Sequence, residues 1–177
     1  WDIVKKFEND SLSDSESDFT HGDDELSEDA RLRKILNQGR FFGYLLSEGI
    51  LRLDVLKHVP IMGGLNDDGM LFLEVLLFQL LLSTAKKSEC RKKEGSKKTF
   101  TYKDDVLQGI IVNGIKLENK SVILKALKWF VTKKFKFINY VTEQKGTKGY
   151  ERDVRRLKWA TQRFIQLIDS YLADADY

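Results

Sequence analysis

Three arginines near the C-terminal end of the chain, Arg152, Arg155 and Arg156, lie three and four residues apart. On a helix that spacing puts their guanidinium groups on one face, and guanidinium forks so arranged suit phosphates or carboxylates. A second cationic set, Lys86, Lys87, Arg91, Lys92, Lys93, Lys97 and Lys98, is packed into residues 86–100, which hold only two glutamates. Lys133 and Lys134, with Lys136 beside them, make a third. Together these residues predict an anion-facing surface whose ligand is RNA or an acidic partner segment, because each phosphate neutralised adds salt-dependent affinity. An ordinary solvated lysine surface is the competing explanation. Tyr102 and Tyr150 are near enough in sequence to stack on bases, although core or loop packing explains an isolated tyrosine equally well.

The remaining reactive residue types do not assemble into a known chemistry. Two histidines and one cysteine cannot build a conventional zinc site. His21 lies in an acidic stretch and His58 at the end of a short predicted helix. Gly39, Gly43, Gly63, Gly64 and Gly69 do not match the spacing of a phosphate loop or a dinucleotide fingerprint, and no serine elbow or Cys–His pair is present. The acid pairs Asp67/Asp68 and Asp104/Asp105 precede predicted helices, where capping accounts for them. The expectation is a protein that is not an enzyme, with no cofactor, no metal and no small-molecule substrate. Ser11, Ser13 and Ser15 each have an acidic residue three positions on. Acid-directed kinases accept that pattern, and a plain solvated linker also carries it.

Helices must position the cations. Trp1, Val4 and Phe7 recur every three residues, so residues 1–10 read as the end of a preceding helix. Residues 11–29 form an acidic, Ser-rich loop with little to bury. The helical domain proper spans 30–177 and carries a basic loop at 86–100. A helix from about Asp29 to Ser47 stops at Gly49, a short helix runs from Arg52 to His58 before Pro60, and Asn66 caps the next. MLFLEVLLFQLLLS, residues 70–83, is apolar on nearly every face, yet it contains Glu74 and Gln79 and is shorter than the roughly 20 residues a bilayer needs. It reads as a core helix surrounded by protein, not as a membrane span. Lys103–Ile115 is the next helix, Asn119 caps another, residues 144–149 form a second flexible basic loop, and residues 150–172 make a long amphipathic helix. There Val154, Leu157, Trp159, Ala160, Phe164, Leu167, Ile168 and Tyr171 face inward, while Arg152, Arg155, Arg156 and Lys158 face out. Short connections and no strand signal predict an all-α fold, with antiparallel helix pairs stacked as a short HEAT-like α-solenoid.

Composition agrees with a charge-rich globular domain: 42% hydrophobic, 32% charged and one proline in 177 residues. The single Cys90 excludes an internal disulfide framework and suits a reducing compartment. The formal charge of +3 conceals an asymmetry, because residues 1–30 carry eleven acids and two lysines, against 28 Lys/Arg and 16 Asp/Glu in the rest. A chain that begins at Trp1 is expected to be an internal or C-terminal piece of a longer protein, with any targeting signal elsewhere.

Asn37, Arg40, Leu45 and Leu46, followed by a glycine break and then Leu53, Val55, Leu56 and Lys57, form a pattern. It resembles the signature in the second half of the C-terminal (MA-three type) domain of initiation-factor-4G-like proteins. WDIVKKFEN resembles the Trp-Asp helix that precedes that signature. Leu124, Leu127, Lys128, Trp129 and Phe130 resemble a later helix of the nucleolar branch, the nucleolar protein with a 4G-like middle domain. The chain departs from the pattern in the acidic stretch 11–29, the long basic stretch and the lack of the domain's first helix pairs. The resemblance implies a helical, non-catalytic scaffold of ribonucleoprotein assembly in the nucleus and nucleolus. It would serve small-subunit pre-ribosome biogenesis and rRNA processing. Its implied partners are pre-rRNA, ribosome assembly factors and a DEAD-box helicase of the initiation-factor-4A type. A spliceosomal or translation-initiation adaptor on the same fold, mainly protein-binding, is the alternative.

Overall fold

The computed structural model describes residues 27–94, 97–115 and 117–174, with backbone only at 92–94, 97, 98, 117, 119 and 174. Nearly all of the expected helix end and acidic loop, with Ser11, Ser13 and Ser15, lies outside these residues. The described chain is predominantly helical with one two-stranded sheet, an all-α fold as the sequence predicts.

Helix α1, Glu28–Ser47, starts at Ser27, whose hydroxyl accepts a long hydrogen bond from the Ala30 amide (3.4 Å). Glu28 and Asp29 in its first turn complement the helix dipole. Gly49 ends it at φ +71°, a conformation that disfavours residues with a Cβ. A 3₁₀ turn, Leu53–His58, buries Leu53 and Leu56. Helix α2, Asp67–Ser88, is capped by Asn66, whose Oδ1 accepts from the Gly69 amide at 2.9 Å. By length and composition α2 could cross a bilayer, but thirteen of its 22 residues are buried by protein, so it is the core helix the sequence predicts. Its polar residues have partners: the Tyr140 hydroxyl donates to Glu74, and Gln79 Nε2 donates to Ser83 at 2.8 Å. Burial and the Glu74 carboxylate push the Tyr140 phenol well above its ordinary range, so it remains a donor.

The first two helices run parallel, where antiparallel pairing was expected. Arg31 pairs with Asp68 (3.3 Å) at the N-terminal ends, and Lys87 pairs with Glu48 (2.7 Å) at the C-terminal ends. The 19-residue connection 48–66 therefore returns the chain along the whole length of the pair. The seam depends on two glycines. A Cβ on Gly39 would stand 2.9 Å from Val75 Cβ, and one on Gly43 would stand 2.4 Å from the Leu76 carbonyl oxygen. The two backbones come this close only because both positions lack a side chain.

Residues 89–102 form a β-hairpin, correcting the expected basic loop: β1 (Glu89–Glu94) pairs antiparallel with β2 (Lys97–Tyr102). Helix α3, Asp105–Asn113, and helix α4, Leu117–Lys133, follow. Asn119 sits inside α4 instead of capping it. After a second 3₁₀ turn, Phe137–Tyr140, helix α5 runs from Lys148 to Asp174. It begins inside the stretch expected to be a flexible loop, because the Thr147 hydroxyl accepts from the Tyr150 amide (3.2 Å) and caps it. Helices α1, α3 and α5 and the second 3₁₀ turn all pack on α2. One continuous core results, with Leu73, Leu77, Leu80, Leu107, Ile111, Leu127, Phe130, Leu157 and Phe164 fully buried.

Two identical substitutions should have opposite signs. Gly43→Ala drives a methyl into a backbone carbonyl and is expected to cost about 1–3 kcal/mol. Gly109, inside α3, has open space around an added Cβ, so Gly109→Ala is expected to stabilise by about 0.5–1 kcal/mol. Urea midpoints at constant slope check both.

Candidate nucleic-acid interface

Helix α2 ends in Lys86 and Lys87, cations that suit a helix C-terminus, and Glu89 follows directly as the first residue of β1. The Glu89 side chain is 3% exposed. Its Oε2 accepts from both Arg156 Nε (3.0 Å) and Arg156 Nη2, two charged donors converging on one oxygen. Its Oε1 accepts from Arg155 Nη2 at 3.3 Å. Arg156 also donates to Asp153 Oδ1 at 3.0 Å. Burial pushes the Glu89 carboxyl up, but the hydrogen bonds and charges of Arg156 and Arg155 outweigh it and hold the group below its ordinary range.

Aromatic contacts extend this junction along the hairpin. Tyr102 stacks on Trp159 with ring centres 4.5 Å apart and planes 13° from parallel. The Arg155 guanidinium lies 4.0 Å above the Phe100 ring, and its Nε donates to the Tyr102 hydroxyl (3.4 Å). One end of the ribbon is thus fixed to α5 by a buried carboxylate, two arginines and a ring stack. The register sets Lys93 directly opposite Lys98.

These contacts redistribute the predicted cations. Arg155 and Arg156 do not face outward beside Lys158: Arg156 is buried and both arginines are committed to Glu89. Arg152 is half exposed and paired with Asp153 at 3.2 Å. Lys87 is also committed, bonding Glu48 and donating to the Ser47 carbonyl (2.8 Å) at the end of α1. Arg91 is exposed on β1, and Lys92, Lys93, Lys97 and Lys98 occupy the two strands. Lys86, Lys133, Lys134 and Lys136 are exposed, with no ionic partner among the described residues. Tyr102 packs on protein and is no free stacking platform. The anchors Glu89, Asp153 and Trp159 carry no motif that marks them as site residues. The only hint for Glu89 is that it is an acid interrupting a basic run.

The chain matches no protein-family model, and no solved structure matches it significantly. It is 51% identical over 178 aligned residues to the protein named suppressor of glycerol defect protein 1 of Saccharomyces cerevisiae. That alignment covers 99% of this chain and 20% of the yeast protein, so the chain spans about a fifth of the length of the relative it matches. The relative's name states no molecular activity.

Because the folded pKa of Glu89 is depressed, its pairing contributes stability above the unfolded carboxylate value of about 4.3, and that contribution drains away as pH falls towards the folded value. Glu89→Gln should remove this part of the acid limb of the stability–pH curve. Glu89→Ala, which leaves the buried Arg156 with Asp153 as its one acid partner, should cost about 1–3 kcal/mol at neutral pH. Urea unfolding between neutral and acid pH measures both.

Proposed function

We propose that this chain is a non-catalytic scaffold segment of ribonucleoprotein assembly, acting in small-subunit pre-ribosome biogenesis in the nucleolus. Its β-hairpin is the RNA-contacting arm. The observation that carries the reading is the cationic ribbon itself: Arg91, Lys92, Lys93, Lys97 and Lys98 on two paired strands, held at one end by the buried Glu89 pairs. Cations so concentrated release counterions from a phosphate backbone and bind it without reading sequence. The major groove of double-helical RNA is too deep and narrow for side chains to read base edges, so the ribbon would track phosphates.

The resemblance to initiation-factor-4G-like domains supports the assembly context. Six of its residues are core packing residues: Leu46, Leu53, Leu56, Leu124, Leu127 and Phe130 are all buried. The resemblance therefore speaks for a shared helical platform, and the partners, pre-rRNA, assembly factors and a DEAD-box helicase, follow by analogy.

RNA binding should weaken steeply as salt rises. Reversing Arg91, Lys92, Lys93, Lys97 and Lys98 to Glu should lower the slope of log affinity against log salt by on the order of one unit for each phosphate no longer neutralised. Reversing Arg156 should unfold the junction instead. An unchanged slope in the hairpin variant removes the hairpin from RNA binding. RNA recovered with the full-length protein should be enriched in small-subunit rRNA precursor. Enrichment of spliceosomal small nuclear RNA or messenger RNA would instead favour the splicing or translation adaptor.

A further inference from the structure

Helix α1 packs on one side of α2, and among the described residues no element packs on its other face. Arg33, Asn37, Arg40 and Tyr44 recur every three or four residues along that face, so they form one stripe, flanked by Lys34 and Phe41. All six are exposed. Phe41 is 58% exposed and Tyr44 49%, two of the most exposed large apolar side chains described. Burial in the fold accounts for neither ring.

Three observations point to an anionic, ring-stacking ligand. Arg33, Lys34 and Arg40 have no ionic partner among the described residues. Of the acids on the helix and its cap, Glu28 and Asp29 lie in the first turn, and Glu48 is bound to Lys87, so the middle of the stripe is uniformly positive. One of the exposed rings is also supported: Phe41 meets Phe42 edge to face at 5.8 Å, and Phe42 meets the core residue Phe72 in the same way at 5.9 Å. A ring held from beneath loses little freedom when a ligand lands on it.

We propose that the Arg33–Tyr44 stripe of α1 binds a short stretch of single-stranded RNA. Phe41 and Tyr44 stack on bases, and Arg33, Lys34 and Arg40 contact the adjoining phosphates. The stripe is about 16 Å long at 1.5 Å per helical residue, room for a few nucleotides of an extended strand. Positive charge interleaved with accessible aromatic faces is the means by which proteins hold single strands without reading sequence. This site is separate from the hairpin arm and does not depend on it.

The test uses the full 177-residue chain, a fluorescein-labelled ten-nucleotide oligouridine, and a blunt RNA duplex of equal charge. Phe41→Ala and Tyr44→Ala should each weaken oligouridine binding by roughly five- to a hundredfold, the range for losing one base–aromatic stack. Tyr44→Phe should bind as the parent does, and duplex binding should be nearly unchanged in all three. Ultraviolet crosslinking should join uridine to the peptide containing Phe41 and Tyr44, in the parent and in the hairpin charge-reversal variant alike. Equal oligouridine affinity in the parent and both alanine variants, with unchanged thermal melting, overturns the proposal and leaves the hairpin reading standing. If an Asp/Glu-rich peptide with leucine anchors binds the parent and loses affinity in the alanine variants while oligouridine never binds, the face docks protein and the RNA proposal fails.

Discussion

Helix α2 has no face that water can hold. Leucine, valine and phenylalanine occupy nearly every direction around its axis, and Leu73, Leu77, Leu80 and Leu81 are fully buried. Each such side chain contributes about 1.5–3 kcal/mol when fully removed from water, so the rest of the chain is organised by the need to cover this helix. Helix α1 takes one side at backbone-close range through Gly39 and Gly43, while α3, α5 and the Phe137–Tyr140 turn take others. Glu74 is tolerated within the run because Tyr140 reaches it. Without that donor a half-buried carboxylate in this apolar run would be costly.

The same helix determines where the charged surface goes. At Ser88 the apolar run ends and the chain must leave the core. Glu89, the next residue, is buried where α5 passes and draws in Arg155 and Arg156. The cations of the chain thereby divide into two populations. Arg155, Arg156 and Lys87 neutralise acids within the fold, whereas Lys86, Arg91, Lys133, Lys134 and Lys136 remain at the surface. A census of lysines and arginines cannot make that division, because it depends on contacts between residues 66 and 67 positions apart.

This separation of scales explains what the sequence disclosed. Features carried by local residues were legible: the Asn66 cap, the stop at Gly49, the Leu53–His58 turn and the core role of residues 70–83. The hairpin was not, because seven cations in residues 86–100 read as a solvated loop. The alternation Thr99-Phe100-Thr101-Tyr102, a β-rich pattern, and Gly95-Ser96 between the two runs carried the opposite signal. The parallel pairing of α1 and α2 was hidden in a connection that looked like a short link. Its 19 residues can span about 60 Å fully extended, against the roughly 30 Å length of α1, so a return along the pair was always within reach. Gly39 and Gly43 lack phosphate-loop spacing, but two glycines four apart on an amphipathic helix also mark a close helix contact.

The buried Glu89 cluster contributes more to geometry than to stability. Taking the Glu89 carboxylate and the Arg156 guanidinium out of water offsets much of their mutual attraction, and apolar replacements of similar shape often fold as well. What an apolar patch would lack is direction. Two Arg156 donors on one Glu89 oxygen, with Arg155 lying across Phe100 and Tyr102 flat on Trp159, set the orientation of β1 and β2 against α5. A two-stranded ribbon is marginal on its own, and lysines facing each other across its strands make it more so. Fixed at the Glu89 end, its two strands hold one direction against α5. On the proposed RNA-contacting reading, the backbone ordering cost that a free basic loop would bear is then already met by the fold.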